Sequence, residues 1–352
     1  MTEHLLLCRL LCSILLLSAL TCKTIAFSTS NGTLPQEEAD AINALLGYIE
    51  RTSKYDGASS NFTASDCNKK STLDVYCDCY NATCRVTQLD LSSTRLKGEI
   101  PKEIGKLTSL TDLYLNDNRF SKIPFWLQNL SRLSIILLDG NLLGGHIPTF
   151  FSQMKKLNIL SLADNNFNGP IPPELGALPS LLELDLDGNL LSGQIPSQLG
   201  SLSSLVALDL SDNQLSGELP YELGHLTNLR YLCLPNNNFS GNLRQSFDKL
   251  KNMAYFDVRG NNFNGQIPAF IAQWKDIEEL YLMGNNFEWP VSHGVFQSLK
   301  NLTILQLADI AGSPRDFPIV NNQSLTHLTL RNCSLGGQIP EFIWQSQSLQ
   351  YL

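Results

Sequence analysis

Beyond residue 26 this sequence has no apolar run approaching the ~18 residues that a membrane-spanning helix needs. The best candidate is the short stretch Ile135 to Leu138, which excludes a spanning helix from the residues that follow. Histidine is scarce: there are five in 352 residues and none between Ala26 and His146. His146, His225, His293 and His327 have no spacing that suits a catalytic triad or a zinc site. The sequence has no glycine-rich phosphate loop with its lysine, no H-R-D with a downstream Asn and no D-F-G, so these residues are not a kinase. No catalytic residue, cofactor or metal is expected. Cations are also in deficit, with 25 Lys and Arg against 33 Asp and Glu. A net charge of -8 disfavours nucleic acid and anionic membrane as partners, since both need basic surface.

What the chain has is a period of 24 residues. Leu157, Leu160, Leu162, Asn165, Phe167, Gly169, Ile171 and Pro172 recur at the same offsets as Leu181, Leu184, Leu186, Asn189, Leu191, Gly193, Ile195 and Pro196. They recur again as Leu205, Leu208, Leu210, Asn213, Leu215, Gly217, Leu219 and Pro220. L-x-x-L-x-L-x-x-N at this period is the signature of leucine-rich repeats. Repeat starts fall at Val86, Leu110, Leu133, Leu157, Leu181, Leu205, Leu229, Met253, Ile277, Leu302, Leu325 and Leu349. They predict eleven repeats and the start of a twelfth over residues 86–352. Each unit buries its apolar face only against its neighbours, so one elongated domain is expected rather than two globules.

The fold class follows: a right-handed leucine-rich-repeat superhelix, an α/β-type solenoid with a parallel concave β-sheet and an N-terminal disulfide cap. Within a repeat the leucines at positions 4 and 6 face inward, and the strand period of two sends positions 3, 5 and 7 to the other face. The asparagine at position 9 follows the strand, where its amide can donate to and accept from neighbouring turns as a ladder. Gly-x-Ile-Pro then turns the chain away. Departures from the pattern mark places where local geometry is expected to change. These are Arg244 in place of Pro, Phe287 to Pro290 where Gly-x-Ile-Pro is due, and an insertion at 311–316. The irregular stretch 286–324 is read as a tolerated loop, with a binding feature as the alternative.

Residues 1–26 hold Arg9 beside the apolar stretch Leu10 to Leu20 and end in Thr24, Ile25 and Ala26, a pattern expected of a secretory signal peptide. Export agrees with N-x-[ST] glycan acceptors at Asn31, Asn61, Asn81, Asn129, Asn238, Asn301, Asn322 and Asn332. Residues 27–85 lie outside the repeats and are expected to cap the open end of the solenoid. Glu37 to Arg51 carries Ala41, Ile42, Ala44, Leu45, Leu46, Tyr48 and Ile49 at helical spacing. Cys67, Cys77, Cys79 and Cys84 follow. In an oxidising compartment they allow three pairings, and a Cys77 to Cys79 bridge closes too short a loop, which leaves two. A metal site is disfavoured by the missing histidines. Cys333 stands at the asparagine position of its repeat, where the motif accepts cysteine.

The outward-facing positions form the candidate ligand face. Asp185, Asp209, Asp257 and Tyr281 occupy position 5, Tyr231 and Tyr255 position 3, and Asp187 position 7, with Glu183, Arg259 and Glu279 beside them. Aromatics with carboxylates on a rigid sheet suit an extended peptide with basic groups or a sugar stacked on tyrosine. These side chains are expected to point to solvent.

The turn segment, as Gly98, Ile100, Pro101 or Gly265, Ile267, Pro268, resembles the plant-specific class of leucine-rich repeats, in which it forms a second strand on the convex side. The match narrows between Phe247 and Ile343 on Asn261, Gly265, Trp274, Leu307 to Pro318, Leu328, Leu330, Arg331, Asn332, Cys333, Pro340 and Glu341, and again at Cys77, Cys79 and Cys84. These residues resemble the ectodomain of a plant receptor-like serine/threonine kinase group in which the repeats precede a malectin-like domain, a transmembrane helix and a kinase. The resemblance implies a non-catalytic recognition module, secreted or on the extracellular face of the plasma membrane. Its expected partner is a peptide, a glycan or a co-receptor ectodomain. The chain ends four residues into its twelfth repeat, so it is read as an ectodomain portion cut short of the malectin-like domain. The alternative is a free secreted inhibitor similar to polygalacturonase-inhibiting proteins, which are built from the same class of repeat.

Overall fold

The computed structural model describes residues 32–53, 62–69, 74–290, 294–313, 316–318, 320 and 324–352. The expected signal peptide and the acceptors Asn31, Asn61 and Asn322 lie outside them. The described residues form two compact units, one built on 32–168 and 178–189, the other on 169–177 and 190–352.

The N-terminal unit opens with helix α1 (Gln36–Ser53), close to the span that the apolar spacing predicts. Ala41, Ile42, Leu45 and Ile49 are all at most 1% exposed, so the helix buries one stripe. Glu38 is buried beside them. Its carboxylate accepts from the Val86 amide at 2.8 Å and the Arg85 guanidinium at 3.0 Å, which ties the helix to the first repeat. An antiparallel hairpin follows, β1 (Asp74–Tyr80) with β2 (Thr83–Asp90). The polar cysteine-rich sequence gives little sign of it. Cys79 and Cys84 are cross-strand partners in that hairpin and are bridged, and Cys67 is bridged to Cys77. Of the two pairings left open by sequence, the structure takes the one with both bridges local.

From β2 the unit continues as parallel strands β4 (Asp112–Tyr114), β6 (Ile135–Leu137), β8 (Ile159–Ser161) and β10 (Glu183–Asp185). On the reverse side of the coil, β3 (Lys97–Glu99) pairs with β5 (Arg119–Lys122), and β7 (Gly144–Gly145) with β9 (Asn166–Gly169). Between each reverse-side strand and the next main-sheet strand lies a 3₁₀ turn such as Lys102–Lys106 or Phe125–Asn129, each preceded by the repeat proline.

The C-terminal unit repeats the pattern. Its main sheet runs β12 (Ala207–Asp209), β14 (Tyr231–Cys233), β16 (Tyr255–Asp257), β18 (Glu279–Tyr281), β20 (Ile304–Ala308) and β21 (His327–Arg331). On the reverse side lie β11 (Leu190–Gly193), β13 (Gln214–Gly217), β15 (Asn238–Gly241), β17 (Asn262–Gln266) and β19 (Asn286–Glu288).

The asparagine ladder holds in both units. Asn141 donates to the carbonyls of Leu115 and Leu138, each at 3.0 Å, and accepts from the Phe120 amide at 2.9 Å. Asn261 does the same with Leu234, Val258 and the Phe239 amide. One side chain thus satisfies backbone groups of two turns that would otherwise be buried without partners. At the same position Cys333 is buried and free, its thiol 3.5 Å from the Leu307 carbonyl.

Arg244 does not alter the geometry as expected. Its φ of -74° matches the -66° of Pro220 at the same place in the preceding repeat, because an ordinary residue adopts this extended conformation without strain. The guanidinium also pairs with Glu218 and reaches the Leu219 carbonyl. The stretch 286–324 is more than a loop where it is described. The Trp289 amide donates to Ala311 and its indole to the Cys333 carbonyl at 2.6 Å, which anchors repeat nine to repeat eleven.

Candidate functional site

The strand register places the candidates within strands, Asp185, Asp209, Tyr231, Tyr255, Asp257 and Tyr281, on the face that the two-residue period predicts. Leu184 pairs with Leu160, and Leu232 with Phe256 and Leu208, all fully buried in the core. The residues between them therefore project the other way. Tyr231 aligns with Tyr255 and Glu279, and Cys233 with Asp257 and Tyr281.

In the N-terminal unit this face holds Asp185 and Asp187. Asp185 accepts from the Ser161 hydroxyl at 3.4 Å and the Asp187 amide at 3.2 Å. In the C-terminal unit it holds Asp209, Tyr231, Tyr255, Asp257 and Tyr281. Asp209 accepts from the amide and the hydroxyl of Ser211, at 2.9 and 2.5 Å.

The expectation of open, solvent-facing side chains is corrected. Asp187 and Asp257 are 1% exposed, Tyr281 is fully buried, and Tyr231 reaches only 8%. Lateral pairing is one physical reason, and it centres on a residue outside the predicted set. Arg259 holds Asp257 through both carboxylate oxygens, with contacts from 2.6 to 3.0 Å. Its guanidinium carbon lies 4.3 Å from the centre of the Tyr281 ring, within the range of a cation–π contact. Tyr281 packs at 5.4 Å against Tyr255, its diagonal neighbour two positions off register. Their hydroxyls turn outward to carboxylates, Tyr281 to Glu279 at 2.6 Å and Tyr255 to Asp257 at 3.4 Å. The signal for Arg259 was its position 7 beside an acidic position 5. Only the side-chain geometry shows the bidentate clasp.

Burial pushes Tyr255 and Tyr281 above the ordinary phenol value, helped by the carboxylates alongside, so both stay protonated donors. Glu279 is also raised by burial, against the pull of the Tyr281 hydroxyl. Burial lifts Asp257, opposed by Arg259. The cluster is thus a set of fixed donors and acceptors: two carboxylates, Asp257 and Glu279, beside the Arg259 guanidinium, with two aromatic rings. Among the described residues no group of His, Cys, Asp and Glu is placed to hold a metal ion. Of the expected glycan acceptors, Asn81, Asn129, Asn238, Asn301 and Asn332 are exposed.

The leucine-rich-repeat family model matches residues 85–107, 109–130, 156–178, 180–202, 204–226, 228–250 and 324–346. Two probable LRR receptor-like serine/threonine-protein kinases of Arabidopsis thaliana are similar in sequence. One is 36% identical over 140 residues, 37% of this chain and 13% of its own length; the other is 33% identical over 128 residues, 33% and 12%. The chain therefore spans about an eighth of the curated relatives it matches. Among solved structures, the Arabidopsis receptor kinase HAESA in complex with the peptide hormone IDA and the co-receptor SERK1 superposes with a TM-score of 0.77. It is 27% identical, over 90% of this chain and 53% of that one. The plant peptide hormone receptor RGFR1 in complex with RGF2 gives 0.68 at 32% identity, covering 74% and 42%. The repeat architecture is similar to that of these solved plant receptor structures.

Proposed function

We propose that this chain is the extracellular recognition module of a plant receptor-like kinase and binds a peptide or a co-receptor ectodomain without catalysis of its own. The observation that carries the reading is the Tyr255, Asp257, Arg259, Glu279 and Tyr281 cluster on the strand face of the C-terminal unit. Two carboxylates against one guanidinium leave the cluster with one more acid than base. Its part-exposed members are Arg259 and Glu279, and the Glu279 carboxylate suits a peptide that offers a basic side chain. The similar solved ectodomains were captured with peptide hormones, and one with a co-receptor. On this reading the kinase activity of the full-length relatives resides in sequence beyond residue 352, the repeats adjoin a malectin-like domain, and residues 27–85 act as the cap. The glycans and the cleaved leader belong to the same proposal.

The test is binding of the purified chain to a panel of synthetic secreted peptides and co-receptor ectodomains, followed through substitutions that preserve shape. Glu279→Gln and Arg259→Lys, at the two part-exposed members of the cluster, should leave the chain folded by thermal midpoint and weaken a bound peptide by about tenfold, near 1.4 kcal/mol. If affinity is unchanged in both, the ligand binds elsewhere. If no panel member binds, the receptor reading itself fails.

A further inference from the structure

In the N-terminal unit, positive charge gathers about the reverse-side strands β3 and β5. Between Ser93 and Ile123 there are six cations, Arg95, Lys97, Lys102, Lys106, Arg119 and Lys122, against four carboxylates, in a chain whose net charge is -8. Of those carboxylates, Asp112 sits on the main-sheet strand β4, and Asp117 accepts from Ser93 and Asn116 at the turn that follows. Only Glu99 and Glu103 remain among the cations.

The β3–β5 pairing sharpens this. Lys97 stands directly opposite Arg119 in the parallel register, and both are exposed. Like charges facing each other across a strand pair destabilise it. The one ion pair on the ribbon, Lys122 with Glu99 at 3.8 Å, has side chains 69% and 71% exposed and contributes little. Folding alone would favour a neutral or opposite-charge pair at Lys97 and Arg119. An anion bound across the ribbon would relieve the repulsion.

Two features restrict the kind of anion. The free edge of β3 is occupied: the Tyr48 hydroxyl from helix α1 lies 2.5 Å from the Lys97 carbonyl and 3.4 Å from that of Glu99. A peptide therefore cannot add as a further strand there, the usual way an extended peptide gains main-chain bonds. In the turn directly after β5, Phe125 is 72% exposed and meets Phe150 edge-on, at 6.2 Å and 87°. That arrangement leaves an aromatic ring open three residues along the chain from Lys122, a surface suited to the apolar face of a sugar.

We propose that the β3–β5 ribbon, with Lys102 and Phe125, binds an extended acidic polysaccharide, a polyuronate whose carboxylates recur along the chain. This contact is independent of the peptide face and uses none of its residues.

The experiment titrates the purified full chain with de-esterified polygalacturonate, with a neutral glucan of similar length and with poly-glutamate, at low and at physiological salt. Expected are binding of the polyuronate that weakens steeply with salt, no binding of the glucan, and poly-glutamate weaker than the polyuronate. Replacing the three ribbon cations together, Lys97→Gln, Arg119→Gln and Lys122→Gln, should reduce affinity at least tenfold. The charge-keeping set Lys97→Arg, Arg119→Lys and Lys122→Arg should retain it, and Phe125→Ala should weaken it several-fold. The thermal midpoint checks that each variant is folded. Relieved of the like-charge pair, the glutamine set should melt no lower than the parent without ligand. Equal or tighter binding of poly-glutamate overturns the polysaccharide assignment. No binding of the polyuronate, or full binding by the glutamine variant, overturns the site.

Discussion

Single side chains in this fold are costly or stabilising according to whether their burial is matched by partners, and two carboxylates show both cases. Glu38 is 2% exposed yet accepts from the Val86 amide and from Arg85. Glu38→Ala leaves the amide without an acceptor and should cost about 1–3 kcal/mol. Glu38→Gln retains an acceptor and should cost less, an ordering that urea melts of the two variants would test. Asp139 is the opposite case, its carboxyl raised to about 6 by burial, despite hydrogen bonds to its own backbone and to Ser161. A carboxyl whose folded value lies above the ordinary one binds its proton more tightly when folded. Stability is therefore lost as pH rises from about 4 to about 6, and the cost is fully present above that window. Asp139→Asn should then stabilise by about 1 kcal/mol at pH 7.5, after a discount for partial exposure, and make little difference near pH 4. The same gain at both pH values would show that the charge is not the cause.

At the scale of the element, the repeat is held by contacts that no residue makes alone. Gly200 is an example: a Cβ there would lie 2.4 Å from the Glu222 carbonyl oxygen in the next turn, as one at Gly224 would lie 2.4 Å from that of Ser246. Gly200→Ala forces successive 3₁₀ turns apart and should cost about 1–3 kcal/mol. The neighbouring exposed Ser201→Ala should stay within about 0.5 kcal/mol, so calorimetry of the pair separates crowding from helix propensity. Elements of this kind were largely legible in sequence, since leucine and asparagine spacing states which atoms face inward and which backbone groups need a side-chain partner. The β1–β2 hairpin was not, because its polar strands are held by two bridges and a buried Glu38 rather than by an apolar alternation. The candidate site was half legible. Period two gives its column of residues, but the clasp of Arg259 on Asp257 and the diagonal packing of Tyr281 on Tyr255 depend on side-chain angles that spacing does not encode.

For the molecule as a whole, stability is a sum of repeat and neighbour terms, so an end that opens endangers the repeats beside it first. In the N-terminal unit that end is closed by helix α1 and a hairpin with two bridges, Cys67–Cys77 and Cys79–Cys84, spanning 10 and 5 residues. Loops this short restrict the unfolded chain modestly, by about 3 and about 2 kcal/mol. The cap has a small core of its own, and those contributions are a large share of what it can supply. Alkylation of the unreduced protein should therefore label none of the four cysteines, and labelling of two or more would contradict the pairing. After reduction, amide exchange should rise first in α1 and β1, then in β2 and β4, while Leu208 and Leu232 in the other unit stay protected. A uniform loss of protection across all strands would mean that the chain unfolds as one block, and that the bridges stabilise the whole molecule rather than its capped end.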